Sequence, residues 1–264
     1  MRQEQENPTN NTPYILNSVI AVLLTGICFG IVMALVSNGF IYGVKSLSAL
    51  TSSFHFFTLS IGDIELKFGP LLTLMTACVA ILLVRRVFKI KRWHGPADSI
   101  HAAHRTDNEL DIKHGFGSTF AAFISASGGA SVGQYGPLVH FGATMGSLIR
   151  RIVSSKITTD VFIGCGVAGA ISAGFNAPIA GVVFAHEAIL RHFSLRAIAP
   201  IAIASITAAW ISKWVFGADP IFMLVDASPN LIELLPAALI AGPIFGLLAV
   251  LFMKSLRYSS HLAA

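Results

Sequence analysis

Long segments without a single charged residue constrain the fold of this chain more than any other feature. The first of them lies between Glu6 and Lys45. Only 12% of the 264 residues are charged and 54% are hydrophobic, whereas about a quarter of an average soluble domain is charged. Too few charges are present to cover a soluble surface, so the chain is predicted to be an integral membrane protein. Similar segments lie between Lys67 and Arg85, Lys113 and Arg150, Asp160 and Glu187, and Glu233 and Lys254.

The uncharged segments predict an all-α membrane fold. A helix needs about 20 apolar residues to cross the hydrocarbon layer. Residues 1–12 are interpreted as a mobile cytoplasmic tail, residues 13–264 as one transmembrane domain, and Asn38–Lys67 as an outer linker. Spanning helices are predicted at Ile15–Val36, Phe68–Val84, Ala197–Ser212 and Leu234–Met253.

The formal net charge of +5 comes from basic residues at the ends of apolar segments, which is typical of membrane proteins that follow the positive-inside rule. The tightest basic cluster, residues 85–92, is therefore predicted to be cytoplasmic, and Gly217–Asn230, without Lys or Arg, to face outward. This distribution excludes nucleic acid as a partner and favours the lipid bilayer of a plasma or inner membrane, with a cytoplasmic N-terminus.

Two smaller patterns have a structural and a chemical interpretation. Gly26 and Gly30 have the spacing that lets a second helix approach closely. His94, His101 and His104 suggest a metal, but no tight Cys/His set accompanies them, so a hydrated segment is the preferred interpretation. We predict no metal, no cofactor and no enzymatic activity, since no nucleophile–base set or nucleotide loop is present.

Glycines and prolines interrupt the apolar stretch from His114 to Pro178. Broken apolar helices are typical of substrate sites at membrane depth, although kinked helices packed without function remain the alternative. The first break contains Gly133, Gln134, Tyr135, Gly136 and Pro137, and Pro137 is predicted to open a helix. Free N–H groups at a helix start attract anions.

The second break is Phe175-Asn176-Ala177-Pro178, with Pro178 opening a helix over Ile179–Leu190. Asn176 or Ala177 is expected near the cap of that helix. A weakly hydrated anion needs several such donors in a dry site rather than a full positive charge. The two breaks together predict an anion pathway.

These motifs resemble those of the CLC family of chloride channels and chloride/proton antiporters. Residues 133–137 stand where that family has GxEGP, and Gly166–Glu187 is similar to its AAAFNAPLAGxxFxxEE stretch. The GSGIP loop of the family falls near residues 93–97, with His94 at the serine position, followed by Gly95 and Pro96. The resemblance implies a bundle of tilted and broken helices, forming one of two inverted repeats, that carries chloride.

Two departures from the family bear on mechanism. Tyr135 stands at the position of the gating glutamate, and Ala188, next to Glu187, at that of the inner proton-transfer glutamate. A phenol is neutral at pH 7, so passive chloride conduction is predicted rather than proton exchange. An interfacial aromatic is the alternative for Tyr135, and pairing with Arg191, four residues on, is the structural role expected of Glu187.

The sequence ends at Ala264, after about the first half of the family pattern. The resemblance therefore implies that one chain does not enclose a complete pore. A truncated product, a second polypeptide that supplies the other half, and a homodimer are the alternatives. A chloride/proton antiporter and a non-transporting, degenerate membrane protein remain as other functions.

Overall fold

The structure, a computed structural model, describes residues 12–52, 58–61, 64–153, 157–217 and 231–262. Residues 1–11 of the predicted tail lie outside the described residues. Residues 218–230 of the loop predicted to face outward also lie outside them. The described chain is helical apart from one antiparallel hairpin, β1 (Thr58–Ile61) paired with β2 (Ile64–Lys67). The predicted all-α membrane fold is confirmed, with the hairpin as a small addition.

The helices follow the uncharged segments. Those long and apolar enough to cross a membrane are α1, α2, α8 and α9, matching the predicted spans, and shorter apolar helices lie between them. The full set in chain order is α1 (Thr12–Ser52), α2 (Gly69–Phe88), α3 (Pro96–His104), α4 (Ile112–Ser127), α5 (Tyr135–Ile152), α6 (Thr159–Phe175), α7 (Pro178–Phe184), a π-helical turn (Ala185–Leu190), α8 (Leu195–Phe216) and α9 (Leu231–Leu262).

The predicted linker over Asn38–Lys67 is wrong, because α1 continues through its first part to Ser52. Asn38, the first residue of the predicted linker, forms its hydrogen bonds inside the helix bundle. Asn38 donates from Nδ2 to the carbonyl of Ala34 at 2.8 Å and to Oγ of Ser212 in α8 at 2.7 Å. A buried amide with two such partners no longer opposes helix formation.

Close contact between α1 and α8 confirms the prediction made from the two glycines of α1. A Cβ added at Gly26 would lie 2.7 Å from the side chain of Ile203, and one at Gly30 would overlap Thr207. Both helices are uncharged along this contact, so packing rather than charge holds them together.

The central helix is α6, which is buried along most of its length between α1, α5 and α8. Its contact with α5 is made backbone to backbone. A Cβ added at Gly142 of α5 would overlap the carbonyl of Gly166 in α6, and the reverse is also true. Gly146 meets the carbonyl of Phe162 in the same way. These glycines place the start of α5 beside the end of α6.

The segment Ile221–Ala264 is a separate compact unit. Its described part is the single helix α9, which contains Pro236 and Pro243. The apolar length of α9 is enough for a membrane span.

Candidate functional site

Three interruptions of the helices lie side by side in the first unit. The ring of Tyr135, at the start of α5, stacks on the ring of Phe175, at the end of α6, with centroids 3.9 Å apart. A Cβ added at Gly136 would lie 3.8 Å from Cγ of Pro96, at the start of α3. We call the three segments 94–96, 133–137 and 175–178 the helix-break cluster.

The start of α5 differs from the prediction. The helix begins at Tyr135, so Pro137 occupies its third position rather than its first. Proline is tolerated there because the first N–H groups of a helix lack intrahelical partners. In the part of the chain that the structure describes, the N–H groups of Gly133, Tyr135 and Gly136 have no hydrogen-bond partner. Their donors are available to a ligand.

The loop before α5 is also open. Gly133 is exposed, and no heavy atom of the described residues lies within 4 Å of a Cβ placed on it. Gln134, the residue before the helix, makes no side-chain cap, and the first turn of α5 contains no acidic residue. The positive end of the α5 dipole is therefore not neutralised by a carboxylate of its own helix.

The start of α3 is arranged in the opposite way. The N–H of His94 donates to Oγ of Ser118 at 2.9 Å, and the N–H of Gly95 donates to Oδ2 of Asp98 at 2.8 Å. Pro96 has no N–H to offer. The sequence predicted that these residues belong to an anion pathway. In the structure, the amides of His94 and Gly95 already donate to protein acceptors.

Asp98 also pairs with Arg92. Burial opposes ionisation of this carboxyl, but the hydrogen bonds from Gly95 and Arg92 and the nearby charges of His94 and Arg92 outweigh that effect, so the pKa of Asp98 is lowered. The carboxylate stabilises the positive end of the α3 dipole and keeps a negative charge there at neutral pH.

The second break is built by α6, α7 and α8 together. Asn176 has a left-handed backbone, with φ of 52°, that ends α6 and redirects the chain. Ala177 precedes α7, and Pro178 is its first residue, as predicted. Ser205 of α8 donates to the carbonyl of Pro178 at 2.7 Å and lies 2.5 Å from Oγ of Ser172 in α6. This buried hydroxyl pair fixes the break against two neighbouring helices.

A buried histidine beside the cluster was missed by the sequence analysis. His140, in α5, is 1% exposed, and its Nδ1 lies 2.8 Å from Oγ of Ser99 in α3. Its ring is edge-to-face with that of His94, 6.1 Å between centroids, and His94 in turn stacks on His114 at 5.4 Å. The sequence signal that could have identified His140 was an ionisable side chain within the otherwise uncharged stretch after Tyr135.

The position that the sequence analysis assigned to the inner proton-transfer glutamate is occupied by Ala188. Ala188 lies in the π-helical turn, where Glu187 is exposed. The predicted pairing of Glu187 with Arg191 is wrong: none of the ion pairs between described residues joins them. The π-helical turn alters the four-residue spacing, and Arg191 has a left-handed backbone that ends the turn. His186 is fully buried and stacks on Phe193, with centroids 5.1 Å apart.

Comparison with protein families and curated proteins gives a consistent result. Residues 75–264 match the family model described as voltage gated chloride channel. The chain is 28% identical, over 49% of its length, to a protein of Ralstonia nicotianae described as chloride channel protein ClcB-like, covering 32% of that protein. It is 25% identical, over 63% of its length, to the voltage-gated ClC-type chloride channel ClcB of Yersinia pseudotuberculosis, covering 40% of it.

Solved structures show the same fold. A slow cyanobacterial Cl⁻/H⁺ antiporter superposes with a TM-score of 0.65 at 20% identity, covering 86% of this chain and 54% of the antiporter chain. A CLC-type fluoride/proton antiporter gives 0.66 at 21% identity, covering 87% and 55%. The sequence therefore spans about half the length of the structures it matches and less than half of the curated relatives.

Proposed function

Since the chain belongs to the voltage-gated chloride channel family, we propose that it forms one half of an anion-conducting pathway across a membrane, and that the start of α5 is its principal anion contact. The observation that carries the proposal is the set of unpartnered N–H groups at Gly133, Tyr135 and Gly136, beside the other two breaks. Amide donors at an uncapped helix start replace the water around a chloride ion without binding it too tightly to move.

Tyr135 has two roles in this proposal. Its ring, packed on Phe175, narrows the approach to the α5 start, and its hydroxyl can donate a hydrogen bond to an anion. Neither Tyr135 nor Ala188 carries a carboxylate that exchanges protons near neutral pH. Conduction is therefore proposed to be passive, although the two structural neighbours are described as proton antiporters; identities of 20% and 21% support their fold and not their coupling.

A second half of the pathway is part of the proposal. Ile179 and Val183 of α7, directly after the second break, are 80% and 41% exposed. Interrupted backbone at membrane depth must be covered by protein or face a water-filled cavity, so we propose that this exposed side of the break is covered by further protein, supplied by a continuation of the polypeptide, by a second chain or by another copy in a homodimer. We place the protein in a plasma or inner membrane with a cytoplasmic N-terminus, because the basic residues 85–92 follow the second predicted span.

The test uses liposomes that contain the native protein with any partner chain that co-purifies, loaded with chloride and monitored for chloride efflux and internal pH. Chloride efflux without proton movement is expected. Uphill proton movement driven by a chloride gradient would show an antiporter instead. Efflux equal to that of protein-free liposomes would favour a membrane protein that does not transport.

Residues 1–264 reconstituted alone provide the matched comparison. We expect little chloride flux from them, because the donors of α5 then line only one side of a pathway. Robust flux from a monomer of this segment would contradict the proposal that a second half is needed, whereas robust flux from a dimer would assign the second half to another copy.

A further inference from the structure

A groove along α2 lies apart from the helix-break cluster. It has a volume of about 720 Å³, within the range of about 300–1,000 Å³ found for small-molecule sites. One end is apolar and the other is basic. The apolar end is lined by Thr76, Val79 and Leu83, and the basic end by Arg85, Arg86 and Lys89.

The basic end carries three positive charges without a neutralising partner. No residue among those that line the groove is acidic, and none of the ion pairs formed by the described residues involves Arg85, Arg86 or Lys89. All three side chains are exposed. The three cations lie within five residues of one another, so an anion beside them reduces their mutual repulsion.

The fold holds one of these cations in place. After α2 the chain turns back through Lys89, whose backbone is left-handed with φ of 55°. The turn is closed by a hydrogen bond from the N–H of Ile90 to the carbonyl of Arg85 at 2.9 Å. Nε of Arg85 in turn donates to the carbonyl of Ile90 at 3.2 Å. The guanidinium is thereby fixed through Nε, and its two Nη groups remain for a ligand.

The length of the apolar end matches one leaflet of a bilayer. From Thr76 to Arg85 the helix rises about 14 Å, and half of the hydrocarbon layer is about 15 Å thick. Val79 and Leu83, one turn apart on this face, are 68% and 63% exposed. An acyl chain lying along them reaches the leaflet interior while its headgroup meets the arginines.

We propose that this groove binds one anionic phospholipid, with the acyl chain along α2 and the headgroup phosphate held by Arg85, Arg86 and Lys89. The shape and the charge both contribute: a free phosphate satisfies only the basic end, and a zwitterionic lipid brings no net negative charge to the three positive ones. The site is independent of the proposed anion pathway, because none of its lining residues belongs to the helix-break cluster.

The experiment measures lipid binding to the delipidated, detergent-solubilised protein by native mass spectrometry and by the apparent melting temperature. Phosphatidylglycerol is expected to bind and to raise the melting temperature, whereas phosphatidylcholine and glycerol phosphate at equal concentration are not. Changing Arg85, Arg86 and Lys89 together to Gln is expected to weaken phosphatidylglycerol binding by about a hundredfold, because each cation near an anionic surface adds about 1 kcal/mol.

A matched variant removes the same amount of charge elsewhere, with Gln at Lys113, Lys213 and Arg257, which are exposed. It is expected to keep wild-type binding. The proposal would be overturned by any of three results. These are an equal loss of phosphatidylglycerol binding in both triple variants, equal binding of phosphatidylcholine, and equal stabilisation by glycerol phosphate. A change in chloride flux with intact lipid binding bears only on the proposed function, so failure of either can be recognised separately.

Discussion

The starts of α3 and α5 meet in the helix-break cluster, yet their backbone amides differ in whether they have hydrogen-bond partners. At α3 the amides of His94 and Gly95 are engaged by Ser118 and Asp98, and the carboxylate adds a negative charge. At α5 the corresponding amides have no partner among the described residues, and no acid lies in the first turn. Two helix starts side by side therefore do not contribute equally to an anion site. Under the proposed function, the α5 start attracts the anion and the α3 start only supports the surrounding structure.

The two starts are also held by different forces. The position of α5 depends on the glycine contact with α6, where backbones touch. The position of α3 depends on side-chain hydrogen bonds from elements that lie close by in space. A glycine contact fails when any side chain is added, whereas one hydrogen bond contributes only about 1 kcal/mol. The variants below test this difference, from the largest expected effect to the smallest.

The largest effect is expected from Gly166→Leu. Any Cβ there overlaps the carbonyl of Gly142, and a backbone cannot move aside as a flexible side chain does. We expect destabilisation of about 3 kcal/mol or more, seen as loss of monodisperse protein in size-exclusion chromatography.

Gly39→Ala is the control for that variant. Gly39 lies within α1, and no described heavy atom comes within 4 Å of an added Cβ. Alanine is favoured over glycine in a helix by about 0.5–1 kcal/mol, so this variant should fold at least as well as the wild type. Normal folding of Gly166→Leu would show that the glycine contact does not position α5.

The next effect is expected at the α5 start itself. Tyr135→Ala removes the ring stacked on Phe175 and, because that ring is proposed to narrow the approach, should raise chloride flux about tenfold in the native protein, with a loss of only about 1 kcal/mol in stability. Flux into liposomes and the melting temperature are measured together.

Tyr135→Phe separates the ring from its hydroxyl. If the ring acts by narrowing the pathway, the phenylalanine variant keeps wild-type flux. If the hydroxyl donates to the anion, flux falls in the phenylalanine variant. Wild-type flux in both variants would leave Tyr135 as an interfacial aromatic and remove it from the pathway.

A smaller effect is expected from Ser118→Ala at the α3 start. It frees the N–H of His94 and leaves it without its protein acceptor, at a cost of about 1 kcal/mol in stability. Because an additional donor then faces the cluster, chloride flux should be kept or slightly raised. Loss of flux at unchanged stability would show that the bond from His94 to Ser118 is itself part of the pathway, contrary to the comparison above.

Much of this arrangement follows from the sequence, and the unpredicted part has a physical reason. Charge-free stretches predicted the spans, Gly/Pro clusters predicted two of the breaks, and the family resemblance pointed to the third at residues 94–96. The engagement of the His94 amide by Ser118, 24 residues further on, depends on tertiary packing that no local pattern encodes. The same holds for the continuation of α1 through Asn38, which required Ser212 in α8 as a partner. The local sequence can therefore predict where a helix starts. Whether the amides at that start have hydrogen-bond partners depends on tertiary packing.

The smallest effect on stability is expected from Asp98→Asn, which tests whether the charge of Asp98 contributes to the difference between the two helix starts. The lowered pKa of Asp98 means that its ionised form stabilises the fold above the ordinary carboxyl pKa of about 4, and that this contribution is lost as the pH falls through the lowered folded-state value. Since Arg92 is largely exposed, the loss at pH 7 should stay below about 1 kcal/mol. The melting temperatures of variant and wild type should converge in acid.

Chloride flux in the same variant gives the independent measurement. Removing a negative charge beside the cluster should raise flux at neutral pH by about twofold, because screening weakens a charge that is not in direct contact with the ion. The wild type should approach the flux of the variant only at a pH low enough to protonate Asp98. A fall in flux on Asp98→Asn would mean that the capped start of α3 holds the α5 amides in place, so that the two starts act as one unit rather than as an attracting and a supporting element.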